Sequence, residues 1–287
     1  MMYLLRSGIV CILLCVLFSV GAAAQGPIST TTHAMTAARL CQEGKMPEAM
    51  EEVELAIVDE TENKDMYTWY VRGFIYKEQY KLSKDVTTRE TAVASFLKSK
   101  EMLGSDDEVT INHTAALKYL ATTYYNDALQ SATNMQTADD AEPEQLMQQF
   151  ETLMRKVAPG KDVVQEYITY YTAKAQRLYE LWNISKTDTL LFESCVQNFE
   201  SVIALHPEDC TSKYNLGVLY YNKALSVHQD DSIEDNGSDS AQLSRELVQK
   251  ATALIESANK TCPSEEYQHA LDNCNRMLEM PVTEKNK

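Results

Sequence analysis

Five histidines, His33, His113, His206, His228 and His269, are the first side chains to weigh as bases or metal ligands, and they are scattered along the chain. No H-E-x-x-H stretch places two imidazoles on one helical face with a carboxylate between them. No G-x-S-x-G elbow exposes a nucleophilic serine, and no glycine-rich loop offers backbone N–H groups to a phosphate. The stretch "DDSIEDNGSDS" has the oxygen-rich composition of a calcium loop. Placing Gly237 at the turn, however, puts Ser232 at the first ligand position and Leu243 at the last, where a calcium site needs carboxylates. The stretch reads as a solvated acidic linker. Of seven cysteines, none forms the C-x-x-C spacing of a zinc or redox site. Asn112-His113-Thr114, Asn183-Ile184-Ser185 and Asn236-Gly237-Ser238 match the N-glycosylation tripeptide, which acts only in a cell that makes such glycans. The sequence therefore names no catalytic constellation, no cofactor site and no metal site, and the expected function is non-enzymatic.

Charge and composition narrow the classes further. The chain has 287 residues and a net charge of −16. That balance argues against nucleic acid, whose phosphates require clustered Lys and Arg, and against adsorption to anionic membranes. Residues 1–24 read as an export signal: Arg6, then the apolar "GIVCILLCVLFSV", then Ala22-Ala23-Ala24 before Gln25. Cys11 and Cys15 leave with it. No later apolar run reaches spanning length, so the mature chain is expected to be exported without stable membrane insertion. That means the periplasm in a Gram-negative cell and secretion otherwise. Five cysteines remain, an odd number: Cys41, Cys195, Cys210, Cys262 and Cys274.

The elements that would have to position any site come from a recurring pattern. In "ELVQKATALIESANKTCP", Ala251, Ile255, Ala258 and Pro263 follow at steps of four, three and five. Cys195, Phe199, Val202 and Pro207 repeat those steps in "LLFESCVQNFESVIALHP". Ala49, Val53 and Ala56 give another copy, Ala92, Phe96 and Ser99 another, and Leu146, Phe150 and Leu153 a weaker one. Each describes a helix with a buried face of alternating small and large residues. A partner helix precedes each copy, marked by Leu216-Gly217 and Tyr220, by Trp69, Gly73 and Tyr76, by Leu117, Ala121 and Tyr124, and by Tyr171, Ala175 and Leu178. Ala37 and Leu40 mark the first. Gly217 costs its helix about 1 kcal/mol against alanine. The reading is that it admits the small Ala251 and Ala258 face of the next helix.

This set resembles the tetratricopeptide repeat, whose pattern runs W-x2-L-G-x2-Y, then A-x3-F, then P. The resemblance covers about residues 30 to 264. It implies an all-α, right-handed solenoid of about five helix pairs, with "SEEYQHALDNCNRMLEM" as a terminal capping helix. The solenoid domain would be residues 25–280, followed by a flexible tail, 281–287. The spacing departs from the usual 34 residues: the markers Ala49, Ala92, Leu146, Cys195 and Ala251 are 43, 54, 49 and 56 apart. The excess is expected as loops between paired helices, above all "HQDDSIEDNGSDS" and "QTADDAEPE".

The resemblance also implies a concave groove lined by the first helix of each pair, binding a protein or peptide. Residues expected on that surface are Tyr67, Tyr70, Phe74, Lys118, Tyr125, Asn126, Tyr179, Tyr214, Tyr221 and Asn222. Tyr125, Tyr179 and Tyr221 would stack as a column. The runner-up is a structural subunit of an envelope assembly that uses its convex or edge surfaces. In the last repeat the start of the first helix would lie beside the end of the second, which favours a Cys210–Cys262 disulfide, with Cys262–Cys274 as the competing pair.

Overall fold

The computed structural model describes residues 31–103, 107–229 and 237–279. Readings that fall on the leader, on the middle of the acidic insert and on the tail lie outside the described residues. The described chain is all-α, as the periodicity predicts. Its helices are α1 (His33–Gln42), α2 (Met46–Val58), α3 (Met66–Ser83), α4 (Val86–Leu103), α5 (Asp107–Asn134) and α6 (Glu142–Val157). They continue with α7 (Val164–Ile184), α8 (Thr189–Leu205), α9 (Cys210–Gln229), α10 (Gly237–Thr261) and α11 (Glu265–Glu279). The contacts gather into two compact units, one through Leu120 and one from Ala121.

Short polar side chains start most of these helices, because a helix N-terminus leaves N–H groups unsatisfied. Asp65 accepts from Tyr67 N, Asp85 from Thr88 N, Asp188 from Leu191 N and Asp209 from Ser212 N. Pro47 and Pro143 sit in the first turns of α2 and α6, where no N–H is needed. Helices α8 and α10 stop before Pro207 and Pro263.

In the N-terminal unit, α1 pairs with α2 and α3 with α4. Ala37, Ala49, Val53, Val71 and Ile75 form one buried cluster. Glu62, in a single 3-10 turn, accepts the backbone N–H groups of His33 and Ala34 and closes the start of α1. Arg72 of α3 ties its neighbours together, donating to Glu54 of α2 at 2.8 Å and to Ser95 of α4 at 2.9 Å. In the C-terminal unit α7 pairs with α8 and α9 with α10, and α11 closes the core with Leu271 and Cys274.

The small-large rhythm is buried as read: Ala49, Val53, Ala56, Ala92, Phe96, Ser99, Cys195, Phe199, Val202, Ala251, Ile255 and Ala258 are all in the interior. Three details differ from the sequence reading. First, the glycines admit the large member of the pattern as well as the small one, whose Ala251 carbonyl oxygen would lie 3.1 Å from a Cβ on Gly217. A Cβ on Gly73 would lie 2.8 Å from the Phe96 ring, and one on Gly217 would lie 2.5 Å from Ile255 Cγ1. Second, Met147 rather than Leu146 is buried in α6, a shift of one residue on the helical face. Third, the extra length goes largely into longer helices. α9 runs on to Gln229 and α10 starts at Gly237, so Gly237–Ser240 form a first helical turn. Glu142 and Glu144 of "QTADDAEPE" likewise sit in the first turn of α6. Acidic residues are favoured there by the helix dipole, which is why an acidic stretch that reads as loop becomes a helix start.

A disulfide joins Cys210, at the start of α9, to Cys262, just after α10, with Cα atoms 6.2 Å apart. Cys41, Cys195 and Cys274 are free thiols. The competing Cys262–Cys274 pair does not form, because Cys274 packs beside Thr252. Thr252 lies ten residues before Cys262 along α10, about 15 Å away at the rise of a helix.

Candidate functional site

The one serine–histidine contact among the described residues that resembles catalytic machinery is closed to substrate. Ser99 Oγ and His113 Nε2 are 2.7 Å apart, and both residues are fully buried. The serine hydroxyl is donated to the Met66 carbonyl at 2.9 Å, so the histidine N–H points to the serine and not the reverse. Among the described residues no group of His, Cys, Asp and Glu could hold a metal ion, and no helix is long and apolar enough to cross a membrane.

The residues expected on a groove divide between the two units. In the N-terminal unit, Tyr70 is committed to packing: its ring lies 4.9 Å from His113 and 5.7 Å from Phe96. Tyr67 packs against the buried cluster of α1–α3. Burial raises the hydroxyl pKa of both tyrosines. Phe74 lies under Lys77 Nζ at 4.5 Å. Lys77 and Lys81 share Glu78 as partner, at 3.0 and 2.7 Å, so this face spends its charge on itself. Burial depresses the Lys77 pKa. Lys118 is exposed.

In the C-terminal unit, Tyr125 packs on Phe150 of α6 at 5.3 Å, and Asn126 is exposed. Tyr179 lies near Trp182, one turn along α7, and its hydroxyl accepts from Asn222 of α9 at 2.8 Å. Tyr214 stacks on Tyr267 of α11 at 4.5 Å. Burial, then a hydrogen bond to Glu266, pushes the Tyr214 hydroxyl up to about 12. Tyr221 is half-buried against the core, and burial raises its pKa too. The three tyrosines of the expected column thus make their contacts with local neighbours rather than with one another. Tyr125 reaches α6 through Phe150 and Tyr179 reaches α9 through Asn222, so both also join neighbouring helices.

What the C-terminal row of helices leaves open is a depression of about 320 Å³ lined by Gln176, Tyr179, Glu180, Phe199, Asn215 and Val218. Phe199, 2% exposed, is its floor. Asn215, Val218 and Asn222 fall at i, i+3 and i+7, one face of α9. Gln176 and Glu180 flank Tyr179 on α7 in the same way. Sequence reasoning picked Tyr179 and Asn222 but missed Gln176, Glu180, Asn215 and Val218. The signal available was the helical stripe itself, extended by one turn from the two residues chosen. Buried Lys174 was also missed. It pairs with Glu144 of α6, and burial lowers its pKa. Its place four residues before Leu178 and eight before Trp182 puts it on the buried face.

The sequence matches no protein-family model and no curated protein. Among solved structures, the chain is similar to the crystal structure of a tetratricopeptide repeat protein from Parabacteroides merdae. The identity is 12%, over 85% of this chain and 97% of that one, with a TM-score of 0.28. A likeness of that size carries no argument, and the helices themselves define the fold.

Proposed function

We propose that this chain is an exported, non-enzymatic adaptor that holds a segment of a partner protein against the row formed by α7, α9 and α11. The observation that carries the reading is the depression between α7 and α9, where polar side chains with unspent hydrogen-bonding capacity surround an apolar floor. Concave sites with a few convergent polar groups are the usual form of a binding site. Export is supported by the N-terminal leader reading and by the Cys210–Cys262 bond, since disulfides persist in oxidising compartments.

A second reading, a structural subunit that assembles through its edges, rests on Ile184 and Leu190. These are 85% and 53% exposed on either side of the α7–α8 turn. Site-specific photocrosslinking in the native cell separates the two. A photoreactive residue at Gln176 or Asn215 is expected to capture a discrete partner, and one at exposed Glu193 on α8 is not. Capture from Ile184 and Leu190 alone, with none from α7 and α9, moves the function to the edge.

A further inference from the structure

The depression on the C-terminal unit has more to say than that something binds there, because the hydrogen bonds its walls do and do not make restrict what fits. Glu180 Oε2 accepts from Arg177 Nη1 at 3.1 Å. Arg177 is itself fixed by its Nε donating to the Met135 carbonyl at 2.9 Å. Arg177 therefore acts as a positioning residue: it holds the Glu180 carboxylate in place and is not among the residues that line the depression. Among the described residues, the second carboxylate oxygen of Glu180 has no protein partner, nor do the side-chain amides of Gln176 and Asn215. The Tyr179 hydroxyl accepts from Asn222 and fixes that ring as a wall. Beside these groups stand Phe199 and Val218, whose side chains offer only carbon.

We infer that this depression takes the side chain of an arginine in the bound segment, with its aliphatic stem on Phe199 and Val218 and its guanidinium on Glu180, Gln176 and Asn215. The inference rests on the adaptor reading above and deepens it. A volume of about 320 Å³ is at the lower end for ligand sites and has ample room for one long side chain. An aliphatic side chain would cover the free oxygens of Glu180, Gln176 and Asn215 without pairing them, which is costly. An acidic side chain would meet Glu180 directly. It would also meet the field of a unit that carries 26 acidic against 14 basic residues from Ala121 onward. A basic side chain suffers neither penalty. Arginine fits better than lysine because its planar group carries five N–H donors and no acceptor, matching several oxygens at once, and it can lie flat on an aromatic wall.

The test is fluorescence anisotropy of the purified chain with labelled Ala/Ser dodecapeptides that carry several Arg, Lys, Leu or Glu residues. The Arg peptide should bind tightest. Glu180→Gln should weaken it by roughly ten-fold, the loss of one hydrogen bond to a charged group. Asn215→Ala should weaken it as well, and Val218→Trp, which fills the depression, should abolish binding. Glu193→Gln, on the exposed face of α8, should change nothing, and circular dichroism checks that each variant is folded. Equal weakening by Glu180→Gln and Glu193→Gln means diffuse attraction and overturns the inference. Leu-peptide binding that is equally tight and indifferent to Glu180→Gln also overturns it, but leaves the adaptor reading in place. No binding of any peptide, together with no crosslinking from α7 and α9, removes both.

Discussion

Replacing Gly217 with alanine sets two effects of opposite sign against each other. Removing a glycine from the interior of α9 should stabilise the helix by about 1 kcal/mol. The added Cβ, however, would lie 2.5 Å from Ile255 Cγ1 and 3.1 Å from the Ala251 carbonyl oxygen. Neither neighbour can give way easily. Ile255 is 1% exposed and β-branched, so its χ1 is stiff, and Ala251 O belongs to the backbone of α10. Forcing one more carbon into such a contact costs about 1–3 kcal/mol. The expected net effect of Gly217→Ala is a loss of about 1 kcal/mol, seen as a lower urea midpoint by circular dichroism with the slope unchanged.

The coupling is more diagnostic than the single value. Ile255→Ala alone should cost about 2–5 kcal/mol through its cavity. In the double variant the methyl group added at position 217 enters that cavity and the helix-propensity gain is recovered. The combined loss should therefore fall short of the sum of the two by about 1–2 kcal/mol, the size of coupling seen between residues in contact. Gly160→Ala, where a Cβ meets nothing within 4 Å, is the control and should lose nothing. A stabilised Gly217→Ala variant, or strict additivity with Ile255→Ala, would refute the idea that close approach is the reason for the glycine.

Two further outcomes follow from the covalent and capping structure. Cys210→Ser with Cys262→Ser, or reduction of the wild-type chain, should lower stability by up to about 4 kcal/mol, because the bond closes a span of 52 residues. Equal melting temperatures with and without reductant would contradict this. The Thr88 hydroxyl and backbone N–H hold the Asp85 pKa below its ordinary 3.8, and the backbone N–H groups of Glu62 and Thr61 do the same for Asp59. A depressed carboxylate pKa contributes stability that is complete above the unfolded value and is lost as pH falls through the folded one. The melting temperature should therefore begin to drop below about pH 4, and the drop should be shallower in Asp85→Asn, whose amide does not titrate.

Much of the fold was legible because a helix pair imposes a local, periodic demand. Cys195 and Phe199 share a step with Ala251 and Ile255 since each pair must present one small and one large group to the helix before it. What the period cannot tell is which of the two meets the glycine, because that depends on the axial offset between helices. Phe96 fills the notch at Gly73, and Ile255 shares the notch at Gly217 with the Ala251 backbone, while between α7 and α8 the small residue approaches, Cys195 Sγ donating to the Ala175 carbonyl at 3.3 Å. The acidic stretches misled for a related reason. Aspartate and serine favour both loops and helix N-termini, and only the length of α10 decides between them.

The candidate site was harder to read because residue type is a poor guide to what a side chain has left to offer. Tyrosines drew attention as large contact surfaces with a hydroxyl. In the folded chain Tyr70, Tyr125 and Tyr214 have already spent their rings on His113, Phe150 and Tyr267, and Tyr179 has its hydroxyl on Asn222. An alanine at any of these positions removes packing between helices as well as any ligand contact, so a weakened partner could reflect either loss. Gln176 and Asn215 differ, since their amides bond to nothing among the described residues and stand beside a ready apolar floor. Removing them should leave the helices as stable as before, so a loss of binding there reports on the ligand alone. Unspent hydrogen-bonding capacity, and not the number of aromatic rings, therefore marks where this surface is built to meet something else.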